Sequence, residues 1–522
     1  MTTAVTLGMI MVYIAIMMGI GVYTSRKTKS VNDFVLGGRN VGSWLTAFAY
    51  GTSYFSAVVF IGYAGQFGWN YGIAATWIGI GNALLGSALA RMVLGRRTRI
   101  MTNHLNAKTM PEYFEKRFHS KGLKIASAFI VFIFLIPYTA SVYNGLSRLF
   151  NMAFGLDSDA SYKIIIIAMA IITAIYVILG GYAATAINDF VQGIVMLLGI
   201  IAVVVCAVNS QGGFSHALKQ LGEIEYQGMT DQYNSILGPD PINLIGVIIL
   251  TSLGTWGLPQ MVHKFYAVKD EAAIKKGTII STLFAFIVAG GSYFLGGFDR
   301  LFCTVQGESG KTFIRTLPNG SPEYDAMIPA VLKSALPELL IGLVVVLVLS
   351  ASMSTLSSLV LTSSSTLTID FIKPKMKKQD ERKEVIIMRA LIAAFLIISV
   401  IIAFNKTASI STLMSYSWGA LAGAFLGPFL YGLYSKKITK PAVWTSFIVG
   451  IGLTMAHMFL FGFGWFPELR KAAASFPLNL ASPINAGAIV MILSLILVPL
   501  VSLFTKPSNE KEVEEVFSCY QS

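Results

Sequence analysis

Leu339 to Thr368 reads LLIGLVVVLVLSASMSTLSSLVLTSSSTLT: an unbroken apolar run leads straight into twelve hydroxyl residues, from Ser350 to Thr368. The lead-in is that of a membrane helix. Hydrocarbon offers a hydroxyl no partner, and a polar group left unpaired there costs about 2–7 kcal/mol. The helix is therefore expected to face protein, water or a bound ion. Ala351, Ser354, Thr355 and Ser358 stand at i, i+3, i+4 and i+7, which is one helical face. A face of hard neutral oxygens at membrane depth suits a small hard cation such as sodium, and Ser354 and Thr355 lie deepest in the span. Serine and threonine also bond back to the carbonyl four residues earlier. That plainer role is expected for Thr362 to Thr368.

The rest of the chain supports a polytopic membrane protein. Its 522 residues are 55% hydrophobic and only 12% charged. The formal charge of +13 invites a nucleic-acid reading, but the charges sit in short clusters between apolar runs, as in cytoplasmic membrane loops. Cys206, Cys303 and Cys519 are too scattered for a disulfide framework, and the five histidines form no metal-binding pair. The first apolar run has no basic residues before it and no small-residue cleavage site after it, so it reads as a retained span.

Thirteen candidate spans follow: 6–25, 43–66, 71–93, 123–149, 161–179, 186–208, 242–262, 276–297, 337–370, 387–404, 408–434, 441–463 and 484–505. One set of alternate loops is rich in Lys and Arg. It holds Arg26, Lys27 and Lys29; Arg96, Arg97, Arg99, Lys108, Lys116 and Arg117; Lys264, Lys269, Lys275 and Lys276; Lys373, Lys375, Lys377, Lys378, Arg382 and Lys383; and Lys436, Lys437 and Lys440. The other set spreads Lys219, Arg300, Lys311, Arg315, Lys333, Lys406, Arg470 and Lys471 over longer loops. The first set is expected to be cytoplasmic, which places the N-terminus outside and the C-terminus inside. The long outer loops near 209–241 and 298–336 have the composition of lids or short helices. The tail from Lys506 is short and charged, too short for a signalling domain.

Two spans carry helix breakers. The second holds Gly51, Gly62 and Gly65 in GTSYFSAVVFIGYAG, and the seventh holds Gly254, Gly257 and Pro259 in LGTWGLPQ. Five spans separate their starts, and an odd offset inverts the second group relative to the first. Interrupted helices at matching places in two inverted halves point to a transporter's binding site, because unwound backbone is tolerated at membrane depth only where it lines a cavity or is buried in protein. Alternatively, these glycines serve close helix packing.

Two charged residues are candidates for coupling or gating. Asp189, in GGYAATAINDFVQG, is expected at the cytoplasmic edge of the sixth span, either as a functional intramembrane acid or as a plain helix-terminal one. Arg39, in DFVLGGRN after a turn at Gly37 and Gly38, is either a headgroup anchor or the partner of an acid that gates the inner opening. GESGKT, from Gly307 to Thr312, imitates a phosphate-binding loop, but Val305 stands where that motif needs its first glycine. With no nucleophile elbow and no buried carboxylate pair, no enzyme is expected.

Taken together, DFVLGGR, GGYAATAINDFVQGIVMLLG, GLPQ and ASMSTLSS resemble the sodium:solute symporter family, over about Asp33 to Tyr434. The resemblance implies a ten-helix (5+5) inverted-repeat core with broken helices, alternating access, and sodium running down its gradient with a small solute carried along. It implies sodium ligands at the carbonyls of Thr52, Phe55 and Ala351 and the hydroxyls of Ser354 and Thr355. Five neutral oxygens suit sodium better than calcium, which prefers carboxylates and six to eight ligands. It further implies solute contacts at Ser53, Tyr54 and Ser56, at Thr255, Trp256 and Gly257, and at Tyr138 or Tyr143.

Within the family the substrate signal is split. Proline carriers have an acid in the first broken helix, where this chain has Tyr54, and aromatic residues near Thr251 and Thr255. TSYFSAVVFIG and INDFVQGIVMLLG are closer to the pantothenate and monocarboxylate branch, whereas PYTASVYNGLSRLFNMAFG resembles the proline branch. The expected architecture is an all-α membrane protein of about thirteen spans. It has a peripheral N-terminal span (1–30), a core at 40–434 (halves about 43–208 and 242–434), two peripheral spans at 441–505 and a cytoplasmic tail at 506–522. The expected function is sodium-coupled uptake of an amino acid such as proline, or of a small carboxylate, across the plasma (inner) membrane. The alternatives are a proton-coupled carrier with Asp189 as the protonatable group, and a sensor or channel on the same fold.

Overall fold

The computed structural model describes all residues except 1, 27–29, 157, 308–309, 314–321, 377–379, 405–408 and 522. Of the sequence expectations, Lys27, Lys29, Arg315, Lys377, Lys378 and Lys406, with Glu308 and Ser309 of GESGKT, lie outside these. Each of the thirteen expected spans falls on helix. Nine helices among the described residues are by themselves long and apolar enough to cross a bilayer, or ten if a bent pair counts as one, fewer than thirteen. Asp159–Ser210, 52 residues long, holds two of the expected spans. Its single interruption is Gly181, at φ 55°, where a Cβ would stand 2.7 Å from the Phe34 carbonyl oxygen.

Both expected breaks exist, but the first is not at its glycines. Helix Ser43–Tyr54 ends at Tyr54, Phe55 is extended (φ −91°, ψ 127°), and helical structure resumes as a π-helical stretch at Val58–Tyr63. Gly51, Gly62 and Gly65 serve packing instead: Cβ atoms there would meet Phe284 at 2.5 Å, Ile410 at 2.7 Å and the Tyr324 carbonyl at 2.8 Å. The second break falls where expected. Pro241–Gly257 and Pro259–Tyr266 meet at an angle of 45° across an extended Leu258, since Pro259 lacks the N–H that would continue the ladder. A Cβ at Gly254 would lie 2.4 Å from the Trp418 ring, and one at Gly257 would lie 2.9 Å from Ala422. The second break is thus pressed against helix Ile410–Tyr434.

Between these elements runs the hydroxyl helix, Glu338–Thr366, continued by a π-helical stretch at Leu367–Ile372. It belongs to the most buried of the nine candidate spans, so its hydroxyls meet protein rather than lipid. Ser364, Ser365 and Thr368 bond back to the carbonyls of Val360, Thr362 and Ser364, the local role expected for that end. The long loops hold short helices at Phe214–Gly222 and Met327–Ala335. They also hold a short two-stranded hairpin, Thr304–Gly307 with Gly310–Phe313, that takes in part of GESGKT.

Candidate functional site

The first break and the hydroxyl helix bring the expected ion ligands together. The Thr355 hydroxyl lies 3.2 Å from the carbonyl oxygens of Phe55 and Ala351 and 3.3 Å from that of Ser53. One turn of extended backbone at Phe55 makes this possible, because it frees carbonyls that an unbroken helix would keep in its own ladder. At a cation–oxygen distance of about 2.4 Å, neighbouring corners of an oxygen octahedron stand about 3.4 Å apart, so these spacings match a hard-cation cage. Ser354 donates to Asp189 Oδ1 at 2.6 Å and lies 2.8 Å from the Thr52 hydroxyl, so Thr52 meets the cluster through its side chain, and the third carbonyl beside Thr355 is that of Ser53 rather than the expected one of Thr52. Ala351, Ser354, Thr355, Thr52 and Asp189 are all fully buried.

Asp189 differs from its expected place. Counting from the kink at Gly181 it lies about two turns inside the helix rather than at the cytoplasmic edge. Lys264 needs a larger correction. Expected among cytoplasmic loop charges, it is buried on Pro259–Tyr266, with Nζ 3.5 Å from Asp189 Oδ2 and 2.9 Å from the Ser358 hydroxyl. Ser358 in turn lies 2.8 Å from the Ser53 hydroxyl. A polar thread Ser354–Asp189–Lys264–Ser358–Ser53 therefore closes around the cage and ties both breaks to the hydroxyl helix. Ser53, expected to touch solute, is drawn to this ion side.

Arg39 pairs with no acid among the described residues. Its guanidinium donates to the carbonyls of Ala107 (2.6 Å), Tyr266 (3.2 Å) and Thr102 (3.3 Å), and burial lowers its pKa. It clamps the end of the second broken helix to the loop at 102–107, and the acid-gate expectation is replaced by a backbone clamp.

The expected solute residues divide. Tyr54 and Tyr138 both pack on Trp418, each with ring centroids 5.9 Å away. The hydroxyls of Tyr54 and Tyr138 and Nε1 of Trp418 are buried without a hydrogen-bond partner among the described residues. Unpaired buried donors are rare and call for a ligand or water. Thr255 and Trp256 are already committed, to the carbonyls of Gly86 and Leu85 respectively, and Ser56 accepts from the amide of Val58. Tyr143 lies five residues beyond Tyr138, a rotation of about 140° on a helix, and faces away from the Trp418 cluster. Trp418 and Lys264 are the two residues the sequence reading missed. Trp418 had a signal: one indole in a run of small residues, SYSWGALAGAFLG.

Above these residues lies an open chamber of about 980 Å³, lined in part by Gln66, Asp240, Asn243, Arg300, Ser411 and Arg470. It collects residues from the loops expected outside. Arg148 pairs with Glu323 beside it, and the Ile410 amide donates to Asp325 at 3.3 Å.

Known proteins with similar sequences and folds are membrane carriers. The sodium:solute symporter family matches residues 34–450. The osmoregulated proline transporter OpuE of Bacillus subtilis (strain 168) is 28% identical over 443 residues, 84% of this chain and 86% of that protein. A sodium/proline symporter of Staphylococcus aureus is 28% identical over 459 residues, 85% of this chain and 83% of that protein. Among solved structures, a sodium-coupled sialic acid symporter in its substrate-bound outward-open state superposes with a TM-score of 0.70 at 18% identity, over 98% of this chain and 99% of the other. A nucleobase-cation-symport-1 family transporter in a closed conformation gives 0.52 at 11% identity, over 92% and 97%. The two structural likenesses bear on the fold.

Proposed function

Because this chain belongs to the sodium:solute symporter family and so is a sodium-coupled membrane symporter, we propose that it carries a small amino acid or carboxylate, L-proline first among them, into the cell. The observation that carries this is the oxygen cage around Thr355 joined through Ser354 to Asp189. We assign sodium to Thr52, Phe55, Ala351, Ser354 and Thr355, and the solute to the neighbouring cluster of Tyr54, Tyr138 and Trp418. The cage spans the first break and the hydroxyl helix, so sodium binding would hold Tyr54 in place for the solute. A ligand shifts a conformational equilibrium only by its differential affinity for the two forms, and a cage built from two elements has such a preference. The core is proposed to span 40–434, with the N-terminus outside and the C-terminus in the cytoplasm of the plasma membrane.

The relatives transport proline by name, yet Tyr54 stands here where proline carriers have an acid. Two unpaired phenols and an indole can hydrogen-bond a carboxylate without adding a charge of their own. The test is uptake of labelled L-proline, pantothenate and pyruvate into proteoliposomes. An inward sodium gradient is expected to drive accumulation of one of the three well above the level reached with choline. Equal uptake in sodium and choline would overturn the reading.

A further inference from the structure

Four arginine and lysine side chains are buried among the described residues: Arg91, Arg117, Lys124 and Lys264. Three have acceptors. Arg117 donates to the carbonyls of Gly432 and Ser435, Lys124 to Glu115, and Lys264 to Asp189 and Ser358. Arg91 has none: Nε, Nη1 and Nη2 are all buried without a hydrogen-bond partner. Its guanidinium lies instead against two rings, 5.3 Å from the centroid of Tyr50 and 5.6 Å from that of Phe265. Cation–π contacts satisfy part of a charge but none of its five N–H donors. A buried guanidinium in this condition is costly and calls for an acceptor, a water or an ion.

Its neighbours say when. Tyr50 lies on Ser43–Tyr54, the half-helix before the first break, and Phe265 lies on Pro259–Tyr266, the half-helix after the second. Parting these halves unstacks the rings from Arg91. The residue also opens a π-helical stretch, Arg91–Gly95, a distortion frequent at functional sites. It stands five residues before Arg96, on the side expected to face the cytoplasm. A small cavity of about 10 Å³ touches Tyr54 of the solute cluster together with Tyr50, which stacks on Arg91, and Ser87, one turn before it.

We propose that Arg91 is an anion-binding station on the inner half of the pathway, which takes the carboxylate of the transported solute when the cytoplasmic side opens. This rests on the symport reading above and adds a residue that acts during release rather than capture. The guanidinium fork matches a carboxylate with two parallel hydrogen bonds. Lys264 and Arg39 cannot substitute, since both are already engaged.

The test compares wild type, Arg91→Gln and Arg91→Lys in right-side-out and inside-out membrane vesicles. The probe is whichever of L-proline, pantothenate and pyruvate the wild type carries. In R91Q the KM from the cytoplasmic face is expected to rise at least about tenfold, as for loss of a charged hydrogen-bonding partner, while the outer-face KM moves less than twofold; R91K recovers part of the loss. A sodium-induced rise in melting temperature verifies that the variants fold. Unchanged KM on both faces, or equal changes on both, overturns the assignment of Arg91 alone. So does wild-type transport that needs chloride over gluconate and loses that need in R91Q, because Arg91 would then hold an inorganic anion. No sodium-driven uptake in the wild type overturns the symport reading and this inference together.

Discussion

Replacing both Ser354 and Thr355 by alanine is expected to raise the sodium concentration for half-maximal uptake by at least tenfold, with folded protein still recovered. In the proposed site the two hydroxyls would supply side-chain oxygens beside carbonyls that the backbone positions regardless. A hydrogen bond or oxygen contact to a charged group contributes about 1.5–3 kcal/mol, and about 1.4 kcal/mol is a tenfold change in affinity. Loss of two such oxygens therefore exceeds tenfold even if the cage relaxes and water replaces one of them. Thr355 is the larger contributor, because it alone reaches the carbonyls of Ser53, Phe55 and Ala351. Thr355→Ser, which keeps the oxygen, is expected to stay within a few-fold of wild type. The measurement is initial uptake rate against sodium at constant ionic strength. An unchanged sodium dependence in the double variant would remove both residues from the site.

The second large effect concerns Lys264. Its side chain is 2% exposed and that of its partner Asp189 is fully buried. Removing one member of a buried ion pair leaves the other charge uncompensated, which costs about 3–5 kcal/mol. Lys264→Met is expected to lower the melting temperature in detergent sharply, or to abolish recovery of folded protein. Adding Asp189→Asn should restore much of that loss, because an apolar residue beside a neutral amide no longer strands a charge. The double-variant cycle isolates the pairwise coupling. Additive losses in the double variant would show that Lys264 and Asp189 act independently and would break the polar thread between the second broken helix and the hydroxyl helix.

The hydroxyl helix was legible because its pattern is local: small oxygens on one helical face, preceded by an apolar run that only a membrane or a deep core accepts. The second broken helix was legible for the same reason, through Gly257 and Pro259, whereas the first was expected from glycines that do not make its break. Their details were not. The first break is made at Phe55, whose extended backbone is stabilised by Thr355 some 300 residues away, and no local signal reports such a partner. Gly51, Gly62 and Gly65 look like breakers but are contact points for Phe284, Ile410 and Tyr324. Lys264 was misplaced because it sits near Lys269, Lys275 and Lys276, which are exposed; its own burial depends on Asp189, 75 positions earlier. Arg39 forms no acid pair among the described residues because three carbonyls from two distant segments converge on it. The fifth and sixth expected spans are divided by a kink at Gly181 rather than by a loop, so they stay joined in one stretch of 52 residues.

The central claim is that one cation in the cage around Thr355 and one solute at the Tyr54–Trp418 cluster stabilise each other's binding. Linkage makes that claim reciprocal: the factor by which sodium tightens solute must equal the factor by which solute tightens sodium. Isothermal titration of the purified protein with the transported solute, repeated over a range of sodium concentrations at constant ionic strength with choline, measures both. Solute affinity is expected to rise with sodium by tenfold or more, with the reverse titration giving the same factor, and no such rise in S354A/T355A. Solute affinity independent of sodium in the wild type would contradict it.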